Sequence, residues 1–155
     1  MEFVTGTVLA LAAAILAGLI GLDRDRGFYP TVLIVIASYY DLFAIIGGSG
    51  RALGLETAAM AIFVLLSVAG FKTNLWIVVG ALAGHGVFDA AHAYVIVDTG
   101  VPPWWPGFCL SYDLVAAICL AWLLARSTLE AEPQMGAAGN LDTPQASKLL
   151  KLTPQ

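Results

Sequence analysis

Five apolar stretches divide this chain, at about 3–22, 30–49, 56–72, 74–97 and 108–126, and the fourth carries His85, Asp89 and His92. Each run is near the ~17–25 residues a helix needs to cross the hydrocarbon core. Ionisable groups inside such a run are expensive and face the bundle interior or a cavity. Hydrophobic residues make up 59% of the 155 residues and charged residues 12%. Soluble domains carry about 25% charged residues, and half that number does not solvate the surface of so small a globule. The sequence therefore predicts an all-α integral membrane protein with five transmembrane helices. It would be a multi-pass protein of a bacterial inner membrane or another cellular membrane, with membrane lipids as its immediate partners. No basic cluster is present that would bind nucleic acid.

Glu2 stands where a signal peptide would be basic, and Asp23-Arg24-Asp25-Arg26 follows the first run instead of a cleavage motif, so this run reads as a retained helix. Lys72-Thr73-Asn74 is a short link, predicting a tight hairpin between spans three and four. The prolines of Pro102-Pro103-Trp104-Trp105-Pro106 exclude a continuous helix there. Arg24, Arg26, Lys72 and Arg126 fall on one side, with Lys148 and Lys151 beyond, against Arg51 alone on the other. The bias in short loops predicts an outside N-terminus and a cytoplasmic C-terminus. Residues 1–126 form the membrane domain. The tail 127–155, rich in Pro, Gln, Gly, Ser and Thr, reads as disordered or docked on a partner through Ser147–Leu152. Cys109 and Cys119 are ten positions apart in one span, roughly 15 Å of rise, too far for a disulfide with each other.

On a helical wheel His85, Asp89 and His92 lie within about 60° of one another and form one polar stripe. Asp41 in span two and Asp113 in span five each follow a tyrosine, Tyr40 and Tyr112, with Tyr39 and Tyr94 nearby in sequence or depth. Asp41, Asp89, His92 and Asp113 are expected at one depth, roughly 7–12 Å from the outer helix ends, with His85 deeper. Three outcomes follow. The groups can form an interhelical hydrogen-bond network. They can pass protons. Or Asp89 and His92, at the i, i+3 spacing of carboxylate–histidine ligands in helix bundles, can hold a single divalent ion, zinc or iron, completed by Asp113 or Asp41. His85 and His92 are separated by roughly 10 Å of rise, which strains any ion shared between them.

The spacing His85-x-x-x-Asp89 resembles the His-x-x-x-acid pair of five-helix membrane sterol isomerases, over those two residues. An intramembrane His/Asp set is also similar to that of the zinc-dependent alkaline ceramidase and progestin-receptor superfamily. This chain is shorter, lacks a further His pair and has a different helix count, which puts the implied zinc in question. The leading expectation is a small membrane enzyme acting on a lipid or other hydrophobic molecule by acid–base or metal-assisted chemistry. His92, Asp89, Asp113, Asp41 and His85 would form the site, and Tyr40, Tyr112, Tyr94, Trp104 and Trp105 would line the substrate. Trp104 and Trp105 read otherwise as interfacial anchors. The alternatives are a proton-coupled transporter or binding protein, and an accessory subunit of a larger complex in which His85 ligates a haem or pigment. Gly80-x-x-x-Gly84 offers a small-residue face for helix packing or a homo-oligomer.

Overall fold

The computed structural model describes the backbone of residues 1–138 and the side chains of 1–127. Five α-helices and a single 3₁₀ turn account for its regular structure, and no strand occurs among the described residues. The helices are α1 (Glu2–Ile20), α2 (Phe28–Ile46), α3 (Gly50–Lys72), α4 (Trp76–Val95) and α5 (Trp105–Ala138). By length and composition α1, α2, α3 and the Trp105–Ser127 part of α5 can each cross a membrane. The 20-residue α4 falls outside that set. Its His85, Asp89 and His92, set among glycines and alanines, dilute the apolar content that the other four keep.

Local chemistry explains the boundaries. Gly21, at φ 76°, closes α1 in the left-handed conformation that glycine adopts without strain. Asp25 Oδ1 accepts from the Gly27 amide (2.9 Å), and α2 begins at Phe28 with Pro30 inside its first turn. Ser49 caps α3 by accepting from the Ala52 amide (3.1 Å). That cap starts the helix six residues before the expected position 56. Asn74 Oδ1 accepts from the Trp76 amide (3.0 Å) and begins α4. Beyond 126, where a tail was expected, α5 runs on to Ala138. The remaining tail, with its Ser147–Leu152 segment, lies outside the described residues.

The chain divides into two compact units, Met1–Ala121 and Trp122–Gln155. In the second, the Arg126 guanidinium lies 4.5 Å from the Trp122 ring centroid. The first contains the whole polar cluster. There α4 buries Val78, Ala81, Leu82, His85, Gly86, Asp89 and His92 along one stripe of 3.6-residue period. At Gly86 the helix lies close against α5, because a Cβ there would stand 3.3 Å from the Leu110 carbonyl and 3.5 Å from Asp113 Cβ. α1 seats Gly6 directly on Phe108 and Ser111 of α5. Arg26 Nη2 donates to the carbonyls of Phe71 (3.2 Å) and Thr73 (3.4 Å), which ties the α1–α2 turn to the α3–α4 turn. A side chain on Gly47 would strike Gly100 and Asp98, so the α2–α3 turn meets the α4–α5 loop. Large apolar side chains such as Val8, Leu19, Ile45, Leu65 and Ile118 face outward, as on a lipid-facing surface.

Candidate functional site

The site is built where α4 meets three neighbours. His85 and Asp89 are i, i+4 and share a face, so their side chains meet. Because α5 approaches at Gly86, Asp113 is delivered to His85. The His85 Nδ1–H donates to Asp113 Oδ2 (2.7 Å) and lies 3.3 Å from Asp89 Oδ2. From α2, the Tyr40 hydroxyl donates to Asp89 Oδ1 (2.6 Å). One imidazole nitrogen of His85 and one oxygen each of Asp89 and Asp113 lie within 4.8 Å of one another. All three residues are at most 1% exposed.

A second pair sits two turns along α4. The His92 Nε2–H donates to Glu56 Oε1 of α3 (2.6 Å), and both residues are buried. The Tyr40 ring stacks on His92, with centroids 4.4 Å apart and planes 24° from parallel. Tyr40 therefore touches both pairs, one with its hydroxyl and the other with its ring. Phe63 packs edge-on against His85 (4.7 Å), and Phe88 lies between the two imidazoles, 6.0 Å from His85 and 5.7 Å from His92. This aromatic sheath surrounds the polar atoms and strengthens every electrostatic interaction among them. Three buried carboxylate oxygens, Asp89 Oδ2, Asp113 Oδ1 and Glu56 Oε2, have no hydrogen-bond partner.

The structure brings together His85, Asp89, Asp113 and Tyr40, and places the other expected residues elsewhere. His92 does not join Asp89 and Asp113 but pairs with Glu56. Helix geometry explains the exchange: α5 contacts α4 at Gly86, beside His85, while α3 supplies an acid further along at His92. Asp41 is half-buried and accepts from Thr57 Oγ1 (2.8 Å) on α3, outside the cluster. Successive helix positions differ by about 100°, so only one of Tyr40 and Asp41 can face α4, and Tyr40 does. Tyr94 is 91% exposed. Tyr112, Trp104 and Trp105 line a separate groove of about 910 Å³ between α1, α2 and the start of α5. Gly80 and Gly84 are exposed, with open space beyond each.

Glu56 is the group that sequence reasoning missed. With span three drawn from 56, its carboxylate falls at the membrane interface and calls for no partner. Ser49, a strong N-cap residue ahead of an apolar run, was the available signal that the helix starts earlier. Six residues of helix, about 9 Å of rise, then carry Glu56 inward to His92. Compared with known proteins, the chain matches no family model, no curated protein and no solved structure.

Proposed function

We propose that this is a five-span membrane enzyme, N-terminus outside and C-terminus cytoplasmic, whose His85–Asp89–Asp113 cluster holds one divalent ion, zinc or iron, for chemistry on a lipid or other hydrophobic substrate. The observation that supports it is the set of three ligand atoms within 4.8 Å, drawn from two helices and sealed from water. Zinc lies ~2.0–2.2 Å from nitrogen and oxygen ligands, which sets neighbouring ligands roughly 3.3 Å apart. The His85–Asp89 separation of 3.3 Å already matches, and the His85–Asp113 separation of 2.7 Å would open slightly as an ion replaced the Nδ1 proton, released to solvent. Asp113 Oδ1, without a hydrogen-bond partner, and Asp89 Oδ2, with only the 3.3 Å contact to His85, fit a cation better than a network of neutral glue. Tyr40 would hold Asp89 in its ligating orientation, as an outer hydrogen-bond partner does. Phe63 and Phe88 would exclude water. A divalent ion, when bound, supplies Lewis-acid activation of a carbonyl or a water.

Metal analysis of gently purified protein tests this. One ion per chain is expected in the wild type and in Asp41→Asn and His92→Ala, and none in Asp89→Asn or Asp113→Asn. An ion retained by the last two, or protein that takes up neither zinc nor iron, removes the reading.

A second reading is favoured by one observation. Tyr40 links the Glu56–His92 pair to the Asp89–His85–Asp113 set, so five ionisable groups from three helices adjoin one another. A proton-coupled transporter would use such a chain. It predicts pH-driven flux in proteoliposomes that chelators leave unchanged. Under either reading, a homo-oligomer would form through the open Gly80/Gly84 face.

A further inference from the structure

The groove between α1, α2 and α5 has a chemistry of its own. Its walls run from Glu2 and Thr5 on the first turns of α1 to Leu22 beyond that helix, and from Phe28 to Tyr39 along α2. The 19 residues of α1, Glu2–Ile20, rise about 28 Å, close to the thickness of a hydrocarbon core. Its volume of about 910 Å³ is at the upper end of the ~300–1,000 Å³ typical of small-molecule sites. Leu9, Val32, Val35 and Ile36 make the middle apolar.

One mouth is different. Trp105 meets Tyr39 edge-on at 5.1 Å and Trp104 edge-on at 5.5 Å and lies tilted against Phe108 at 5.4 Å, and Tyr112 continues the cluster at 6.2 Å from Phe108. Glu2 is packed at this mouth, for a Cβ on Gly107 would stand 2.8 Å from Glu2 Cγ. Its partner is the Met1 amino group at 3.5 Å, which is fully exposed, so a ligand cation would compete only with a solvated group. No lysine, arginine or histidine is among the lining residues, and the one cation at the mouth, the exposed Met1 ammonium, is already paired with Glu2. The Trp105 indole N–H is buried without a partner and can donate to a ligand oxygen. A carboxylate among aromatic faces is the chemistry that recognises an ammonium group, held within about 6 Å of a ring centroid.

We infer that this groove binds a phospholipid with a cationic choline or ethanolamine headgroup, its ammonium at the Glu2–Trp104–Trp105 mouth and an acyl chain along Val32, Val35 and Leu9. Binding here needs no metal in the buried cluster, so this inference stands or falls apart from the metal reading. The groove and the cluster nonetheless share a wall. Cys109 and Ile36 line the groove, one helical turn from Asp113 and Tyr40 respectively.

Native mass spectrometry of the full chain, released from detergent micelles with phosphatidylcholine or phosphatidylglycerol of identical acyl chains, tests it. Wild type is expected to retain the choline lipid about 10-fold more tightly, equivalent to ~1.4 kcal/mol. Glu2→Gln combined with Trp104→Ala should bring the two lipids to parity. Val35→Trp or Thr31→Trp, which fill the slot, should lower retention of both, while Ile62→Trp on the exposed face of α3 should not. Equal retention of the two lipids by the wild type overturns the inference without recourse to any variant. So does retention unaffected by filling the slot, or a dimer that Val35→Trp dissociates, since a second copy would then be the occupant.

Discussion

Asp89, Asp113, Glu56, His85 and His92 are each no more than 2% exposed, and every one has a partner reaching from another helix or along α4. The bonds differ in what their loss leaves behind. Tyr40→Phe removes one donor from Asp89 while His85 stays beside it. Interhelical hydrogen bonds in membranes average about 0.6 kcal/mol and reach about 1.7, so Tyr40→Phe should lower stability by roughly 1 kcal/mol. Glu56→Ala instead leaves the His92 imidazole buried with no carboxylate, and breaking a buried pair costs about 3–5 kcal/mol. Thermal or denaturant unfolding in micelles should rank Glu56→Ala well below Tyr40→Phe. Equal losses would mean that His92 finds a substitute partner. At this scale the sequence disclosed His85, Asp89 and Asp113, because an ionisable group in an apolar run announces itself. It did not disclose which neighbour each would choose, since one residue of rotation separates Tyr40 from Asp41 and only packing selects between them.

Helices were legible because apolar runs of membrane length leave the backbone no other way to satisfy its hydrogen bonds. Their ends were not, because caps act over a few residues: Ser49 lengthened α3 and thereby converted Glu56 from a boundary residue into a site residue. Contacts between helices were equally hidden. Which glycine on α4 admits α5 is set by the facing surface, and Gly86 is the one that does, while Gly80 and Gly84 face open space. Gly86→Leu should therefore force α5 away from α4, cost about 1–3 kcal/mol as overpacking does, and, on the proposed metal reading, abolish metal retention by separating Asp113 from His85. Gly84→Leu should leave metal content unchanged, and should reduce an oligomer if one forms on that face. Metal stoichiometry and unfolding measured on both variants separate these effects. A Gly86→Leu variant that retained the proposed ion would show that Asp113 is not a ligand.

At the scale of the molecule, the polar cluster constrains topology. The α1–α2 and α3–α4 turns are tied together by Arg26, and the α2–α3 turn meets the α4–α5 loop at Gly47 and Gly100. α4 joins one end to the other. Although too polar to count as a span by composition, it should cross the bilayer because its neighbours cover its polar side chains. Satisfied groups cost far less in lipid than isolated ones, whose insertion at the centre costs ~2.5–3.5 kcal/mol each. Arg24, Arg26 and Lys72 lie toward the first end and Arg51 toward the second, and the proposed orientation, with the first end cytoplasmic, rests on this bias of basic residues. Cysteine labelling with a membrane-impermeant maleimide on intact cells should modify Thr99→Cys, in the exposed α4–α5 loop, and spare Asn74→Cys until the membrane is permeabilised. The native Cys109 is buried and Cys119 partly so within α5, which keeps the background low. The reverse pattern would invert the protein. Equal labelling of the two positions from one side would show that α4 does not cross, and the cluster it carries would then have to meet water.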